Sequence, residues 1–372
     1  MVAEQAAVTT LARSRFADRL HRLRLSLSSL GADAILVSSL PNIRYLCGFT
    51  GSSGLLLIES SGGAFFTDSR YTFQAHEEVA GARIHIAKQG LLRAAGEALR
   101  RKRGHRRVAF SPSSLTVAQK QSLEAATGKG MRWVPDQSVV EKLRCVKDAS
   151  ELASMQEAAD IISRVFEAVL PLIRPGISEL GLAAEIEHEM KRRGASGASF
   201  ETIVASGVRS AWPHARPSSN LLKKDELVVL DQGAILRGYC SDMTRTVFLG
   251  KAPGRIRKLY KAVLDAQQAA KAAVRPGVKA GDVDRAARAV LRQAGLARYF
   301  THSTGHGLGL EVHEMPRLGR GDEFVLQEGM VVTVEPGVYV EGLGGVRIED
   351  DVVVTAQGAL DLTNAPREFL EL

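Results

Sequence analysis

Arg174-Pro175-Gly176 returns as Arg275-Pro276-Gly277, 101 residues later, and the same interval separates Gly194 from Gly295. Each tripeptide follows an apolar or alanine-rich stretch that predicts a helix, and each later glycine closes a second such stretch. Strand-prone runs come next in both halves, Phe200–Ala205 with Leu227–Leu249 and then Met330–Val334 with Val346–Val354. Chance could repeat one tripeptide; three coincidences at a shared offset are harder to assign to it. The pattern predicts a duplicated helix–helix–sheet unit whose sheets join and whose helices cover one face. A site would fall at the seam between the halves.

Acidic residues inside the strand-prone runs point to what that site holds. The stretch Val228–Thr246 reads VVLDQGAILRGYCSDMTRT. A strand at Leu227–Leu230, a turn at Gly233 to Gly238 and a return over Tyr239–Leu249 would set Asp231 and Asp242 face to face across a buried sheet. Two buried carboxylates repel and lose hydration, and a cation bound through hard oxygen ligands is the usual compensation. On this pair alone, one Asp in a turn and one exposed serve equally well. Two more acids change that: Glu335 lies within VVTVEPG (Val331–Gly337), and Glu349 opens the Val-rich run of GVRIEDDVVVT. Between the two pairs, THSTGHGLGLEVHEMP (Thr301–Pro316) holds a glycine-flanked His306 with His302 and His313 on either side.

Four carboxylates and one imidazole roughly balance two divalent cations. Cations ~4 Å apart need ligands that bridge them. An oxygen-rich set favours Mn2+, Co2+ or Fe2+ over a structural Zn2+. Water shared by two such ions is acidic enough to attack directly, which predicts hydrolysis without a covalent enzyme intermediate. Something must also hold a developing oxyanion and move a proton. His214, in AWPHARPSSN, and His313 are the free candidates. A surface-loop histidine and a packed core histidine are the competing readings of the two. His302 could support His306. Arg347, two residues before Glu349 and on the same strand face, could hold a metal-ligating carboxylate in place.

A chain of 372 residues is long for one core, and two domains are expected, 1–147 and 148–372. Before the repeat, helical spacing over residues 11–30 is followed by strands at Ala34–Ser38, Tyr45–Phe49, Gly54–Ile58, Ala64–Thr67, Arg83–Ala87 and Val108–Phe110. Helices at Leu91–Arg101 and Val117–Ala126 interleave with them, an α/β pattern around one sheet. Asp136–Asp148 reads as the connection, and Asp148 with Glu151 as the cap of a long helix over Glu151–Leu172. The net charge of +8 is concentrated early: residues up to Lys147 hold 22 basic and 11 acidic side chains. Its densest run, Arg100–Arg107, has no interleaved aromatics, so a solvated helix end is favoured over a nucleic-acid surface. No segment approaches the ~20 apolar residues of a membrane span, and no apolar signal core opens the chain, so a cytoplasmic location is expected. Cys47, Cys145 and Cys240 are odd in number and widely spaced, as reduced thiols are.

The motifs DxGxxxxGYxSDxTRT, GHGxGxxxHExP, TxEPG and GxRxED, as they stand here, resemble the M24 metallopeptidases, and most closely aminopeptidase P and prolidase. The likeness spans the chain, since Tyr45–Gly51 and Phe66–Tyr71 resemble the creatinase-type N-terminal domain of those enzymes. It implies an α/β N-terminal domain followed by an α+β pita-bread catalytic domain with an internal pseudo-two-fold repeat. It implies Asp231 on one metal, His306 and Glu335 on the other, Asp242 and Glu349 bridging, and Glu335 also moving a proton. By the same likeness His214 and His313 contact the substrate carbonyl oxygen and the tetrahedral intermediate, and His302 lies near the substrate's proline. The implied cofactor is a pair of divalent ions, Mn2+ first, with Co2+, Zn2+ or Fe2+ as alternatives. The implied reaction releases an N-terminal residue from a peptide with proline second, in a homodimer or larger assembly. Aminopeptidase P-like action is the first expectation. A prolidase is the alternative; it needs a cation for the dipeptide carboxylate, which Arg317 or Arg320 could supply, although exposed loop arginines are the favoured reading of both. A catalytically idle partner- or nucleic-acid-binding module of the same fold is the reading from another class, and methionine aminopeptidase generally lacks so large an N-terminal domain.

Overall fold

The computed structural model describes residues 2–102, 107–136 and 138–372, with side chains from residue 14 onward. The chain divides into two compact units, Met1–Arg144 and Cys145–Leu372.

In the first unit, short runs of Val, Ile, Leu and Phe form a six-stranded mixed sheet. Its order is Arg83–Ile86, Gly63–Thr67, Leu55–Glu59, Ala34–Val37, Arg107–Phe110 and Arg132–Pro135. Leu91–Arg101 and Val117–Thr127 are helices, the second closed by a reciprocal Thr116–Gln119 cap. The strand expected at Tyr45–Phe49 is instead the end of a helix, Leu40–Cys47. Pro41 pre-sets its first turn, and Gly48 ends it at φ 87°, so the local caps outweigh the β-prone side chains. The connection contains a helix of its own, Val139–Cys145. Of the basic run, residues 103–106 lie outside the described residues, as does the side chain of Leu11 on the first helix, Val2–Ser29.

The second unit carries the duplication. Asp148 caps Ala149–Val169 through the Ser150 and Glu151 amides, and Glu179–Arg192 follows. Gly254–Ala273 and Ala280–Gln293 are the later pair. Gly176 and Gly277 both sit at positive φ, 94° and 84°, where a side chain would be strained. Their amides bond to Leu222 and Leu326 carbonyls, each at 2.9 Å, and isolated bridges Ser178–Leu221 and Lys279–Val325 lie beside them. The first sheet orders Met243–Leu249, Glu226–Gln232 and Ile203–Ser206, all antiparallel. The second repeats that order with Asp350–Thr355, Val331–Val334 and Gly305–Gly307. The halves meet where the Glu349 amide donates to the Thr244 carbonyl at 3.1 Å, and where Thr246 and Arg347 exchange two bonds. The apolar cores lie under the sheets, against the helices. No described helix is long and apolar enough to cross a membrane.

Candidate metal centre

Asp231 lies near the end of Glu226–Gln232, directly opposite Thr244. Asp242 immediately precedes Met243–Leu249, two residues from Thr244, so both acids share a face at diagonal positions. The return is not one strand. Ala234–Leu236 and Tyr239–Cys240 make a small hairpin that turns at Arg237 and Gly238, both at positive φ, before the chain re-enters the sheet. Glu335 falls just after Val331–Val334, where Pro336 breaks the strand, and Glu349 just before Asp350–Thr355. The four acids therefore sit at strand ends on the seam. Glu335 follows Asp231 by 104 residues and Glu349 follows Asp242 by 107, so each half supplies one equivalent pair.

His306 enters on the short strand Gly305–Gly307, and its neighbours explain the flanking glycines. A Cβ on Gly305 would strike the Thr333 carbonyl, and one on Gly307 the Met315 carbonyl. His306 Nδ1 faces the Gly307 carbonyl at 3.0 Å and must donate to it, which leaves a lone pair on Nε2. Nε2 stands 3.5 Å from Glu335 Oε1 and 3.8 Å from Asp242 Oδ2, too far for hydrogen bonds. Ligand atoms of Asp242, His306 and Glu349 all lie within 4.8 Å of one another. Burial lowers the His306 pKa and keeps the ring neutral, as a ligand requires.

The acids are strained electrostatically. Burial, then Glu349 and Asp231, pushes the Asp242 carboxyl well above the usual range. Burial, then Glu335 and Asp231, does the same to Glu349. Glu335 is pushed up to about 7, chiefly by burial and against the pull of Arg347. Asp231 Oδ1 and Asp242 Oδ1 are buried with no hydrogen-bond partner. Buried carboxylate oxygens left without partners, beside an imidazole nitrogen grouped with Asp242 and Glu349, are a donor set that fits divalent cations.

Arg347 is the nearby cation. Its Nη2 donates to Asp231 Oδ2 at 2.6 Å, so the carboxylate it holds directly is Asp231. Its Nε donates to Thr244 Oγ1, which in turn donates to Glu349 Oε2 at 2.6 Å. Its Nη1 donates to the Tyr339 hydroxyl at 2.8 Å. That hydroxyl donates on to His302 Nε2 at 2.9 Å, because His302 Nδ1 is committed to the Ser303 carbonyl. His302 thus joins the centre through Tyr339 and Arg347 rather than beside His306. Burial and the Arg347 charge push its pKa down to about 4. The ring stacked edge-on against His306 is His313, centroids 4.3 Å apart, itself exposed. His214 is exposed in the loop after the Gly207–Ala211 turn, close enough to influence His302, His313 and Glu335 electrostatically. Arg317 and Arg320 are exposed on the wall of a cavity of about 560 Å³ that is also lined by His302, Arg288 and Arg298.

Residues 153–356 match the model of metallopeptidase family M24, and residues 19–146 that of the creatinase/prolidase N-terminal domain. The chain belongs to metallopeptidase family M24. Among its relatives, an uncharacterized peptidase of Bacillus subtilis, YqhT, is 42% identical over 354 residues, covering 95% of this chain and all of that one. The solved structure of an Xaa-Pro dipeptidase from Bacillus anthracis superposes with a TM-score of 0.93 at 38% identity, over 96% of this chain and 100% of that one. An X-Pro aminopeptidase from Thermotoga maritima gives 0.86 at 34% identity, over 93% and 99%. The M24 family is one of metal-dependent peptidases, and its pita-bread fold with a creatinase-type N-terminal domain is the fold found here.

Thr244, Tyr339 and Asp351 were not singled out from sequence. Period-two alternation reaches two of them: Thr244 follows Asp242, and Asp351 follows Glu349, by two residues. Asp351 Oδ2 accepts from the Asp242 amide at 2.8 Å. Tyr339 carries no such mark, since its link to the site is made by a hydroxyl across two strands.

Proposed function

We propose that the protein is an exopeptidase that cleaves the bond between an N-terminal residue and a following proline, with dipeptides among its substrates. The observation that carries this reading is the gathering of ligand atoms of Asp242, His306 and Glu349 within 4.8 Å of one another, with one oxygen of Asp231 and one of Asp242 buried and partnerless. Asp231, Asp242, His306, Glu335 and Glu349 would hold two divalent cations, Mn2+ foremost. Bound there, the pair would supply a Lewis acid and an activated water for amide hydrolysis.

The chain's own residues do the rest. Glu335, 3.5 Å from His306 Nε2, would take a proton from the attacking water and pass it to the leaving nitrogen. His214 and His313, both exposed at the rim, hold the carbonyl oxygen as charge develops on it. His302, neutral and fixed by Tyr339 and Ser303, offers a flat, largely apolar wall for the proline ring. Arg347 keeps Asp231 aimed.

Dipeptide action is supported by the basic cavity beside His302, where Arg317 or Arg320 would meet a C-terminal carboxylate, and by the likeness to the B. anthracis dipeptidase. Action on longer peptides is the second reading, supported by the likeness to the T. maritima aminopeptidase. Metal-reconstituted protein assayed side by side on Gly-Pro, Gly-Pro-Ala and Met-Ala-Ser separates them. Turnover of Gly-Pro above Gly-Pro-Ala is expected. The reverse order favours the aminopeptidase, and cleavage of Met-Ala-Ser alone would remove the proline requirement altogether.

A further inference from the structure

Beneath the seam, on the helix side of the sheet, lies a polar cluster that the proposed chemistry does not use. Side chains alternate along Met243–Leu249, so Thr244 and Thr246 face the metal centre while Arg245 faces away. Arg245 is 1% exposed, yet each of its five guanidinium protons has an acceptor. Nη1 donates to the carbonyls of Thr244 at 2.9 Å and Glu349 at 2.6 Å. Nη2 donates to Asp350 Oδ1 at 2.9 Å and to the Ala365 carbonyl at 2.8 Å, and Nε to the Pro366 carbonyl at 2.8 Å. Asp350 is equally saturated. Its Oδ1 also accepts from Thr363, and its Oδ2 from Gln267 and Arg367, each at 2.5 Å, with Lys271 at 3.4 Å.

Arg245 comes from the first half of the duplication, and Asp350 from the second. Two of the carbonyls Arg245 grips belong to Thr244, whose hydroxyl bonds Glu349, and to Glu349 itself. We infer that Arg245 and Asp350 are positioning residues for the Glu349 carboxylate: they lock its main chain across the seam and recruit the C-terminal stretch Thr363–Arg367 as part of the lock. This rests on the proposed metal role of Glu349. A buried ion pair by itself is weak grounds for stability. Here, however, the guanidinium spends its donors on main-chain carbonyls on both sides of a ligand, which fixes position. The C-terminal residues thereby belong to the metal centre's support although none of them approaches a ligand atom directly.

The test measures Mn2+ dissociation constants of the folded full-length protein by competition with a chelating dye, beside its metal-free thermal midpoint. Arg245→Lys keeps the charge but loses the fork, and is expected to weaken Mn2+ binding by ~10-fold or more, as loss of an outer partner to a ligand does. Thr363→Val removes one hydroxyl bond to Asp350 at constant volume and is expected to weaken it about threefold. Val263→Ala, in the apolar helix layer, lowers the midpoint and leaves Mn2+ affinity unchanged. Should Arg245→Lys fail to fold, Thr363→Val against Val263→Ala decides the matter. Unchanged affinity in the Arg245 and Thr363 variants, or an equal loss in Val263→Ala, would overturn the inference. A wild-type protein that binds no Mn2+ would instead defeat the metal reading beneath it.

Discussion

Asp242 has the least tolerable position of the ligand set: buried, beside two other acids, with one oxygen unpartnered and its amide tied to Asp351. Asp242→Ala is expected to abolish bound metal and turnover together, read as metal content and Gly-Pro hydrolysis of one preparation. His313 is different in kind. It is exposed and touches His306 only ring to ring, so His313→Ala should retain metal while kcat falls by ~10²-fold, as when an oxyanion donor is removed. Unchanged kinetics would take His313 out of the chemistry. The four acids were legible in the sequence because a charge within a strand-prone apolar run is anomalous, and His306 because glycines flank it between the two acidic pairs. Arg347 was legible as a holder of a carboxylate, but its partner was not. Strand alternation gives the face a side chain takes, whereas Asp231 reaches Arg347 across the seam, a neighbour only the folded sheets supply.

Strand ends decide how the site is assembled. The Gly305–Gly307 strand packs so closely that neither glycine has room for a side chain beyond the backbone it meets. Gly307→Ala is expected to cost about 2–4 kcal/mol of stability, measured by denaturant melts of the metal-free protein, and to displace His306 enough to weaken metal binding. Helices and strands of the duplicated unit were readable from periodicity and from the Arg-Pro-Gly punctuation. Misreadings came where short local signals compete. Tyr45–Phe49 is β-prone by composition, but Pro41 and Gly48 frame a helix there. Tyr239–Leu249 reads as one strand, but a break at Ser241 and Asp242 splits it into Tyr239–Cys240 and Met243–Leu249. The hairpin so formed is what brings Asp242 back to the strand carrying Asp231.

For the molecule as a whole, His302 makes a contribution to stability that weakens with acid, opposite in sign to that of the raised carboxyls of Asp242, Glu335 and Glu349. Its pKa is about 4 in the folded chain against an ordinary 6.5, so below 6.5 the unfolded state takes up the proton that the folded state refuses. Stability from this group is present above 6.5 and is lost as pH falls from 6.5 toward 4. Thermal midpoints of wild type and His302→Asn measured across that window should converge toward the acid end. Equal slopes would show that another group sets the acid limb. Metal removal acts in the other direction of charge: chelation leaves the buried acids to repel one another, and the midpoint at neutral pH should drop and recover when Mn2+ is restored.

The duplication is not a true mirror. Its two halves match in acids, but His306 rides on a strand whose counterpart, Ile203–Ser206, has no imidazole, acid or thiol to offer. If two cations are held as proposed, one would gain a nitrogen ligand and the other would meet oxygens alone. Twin ions placed in unlike seats will not leave or arrive together, so loading should proceed in two unequal steps, with a half-filled species standing between the empty chain and the working one.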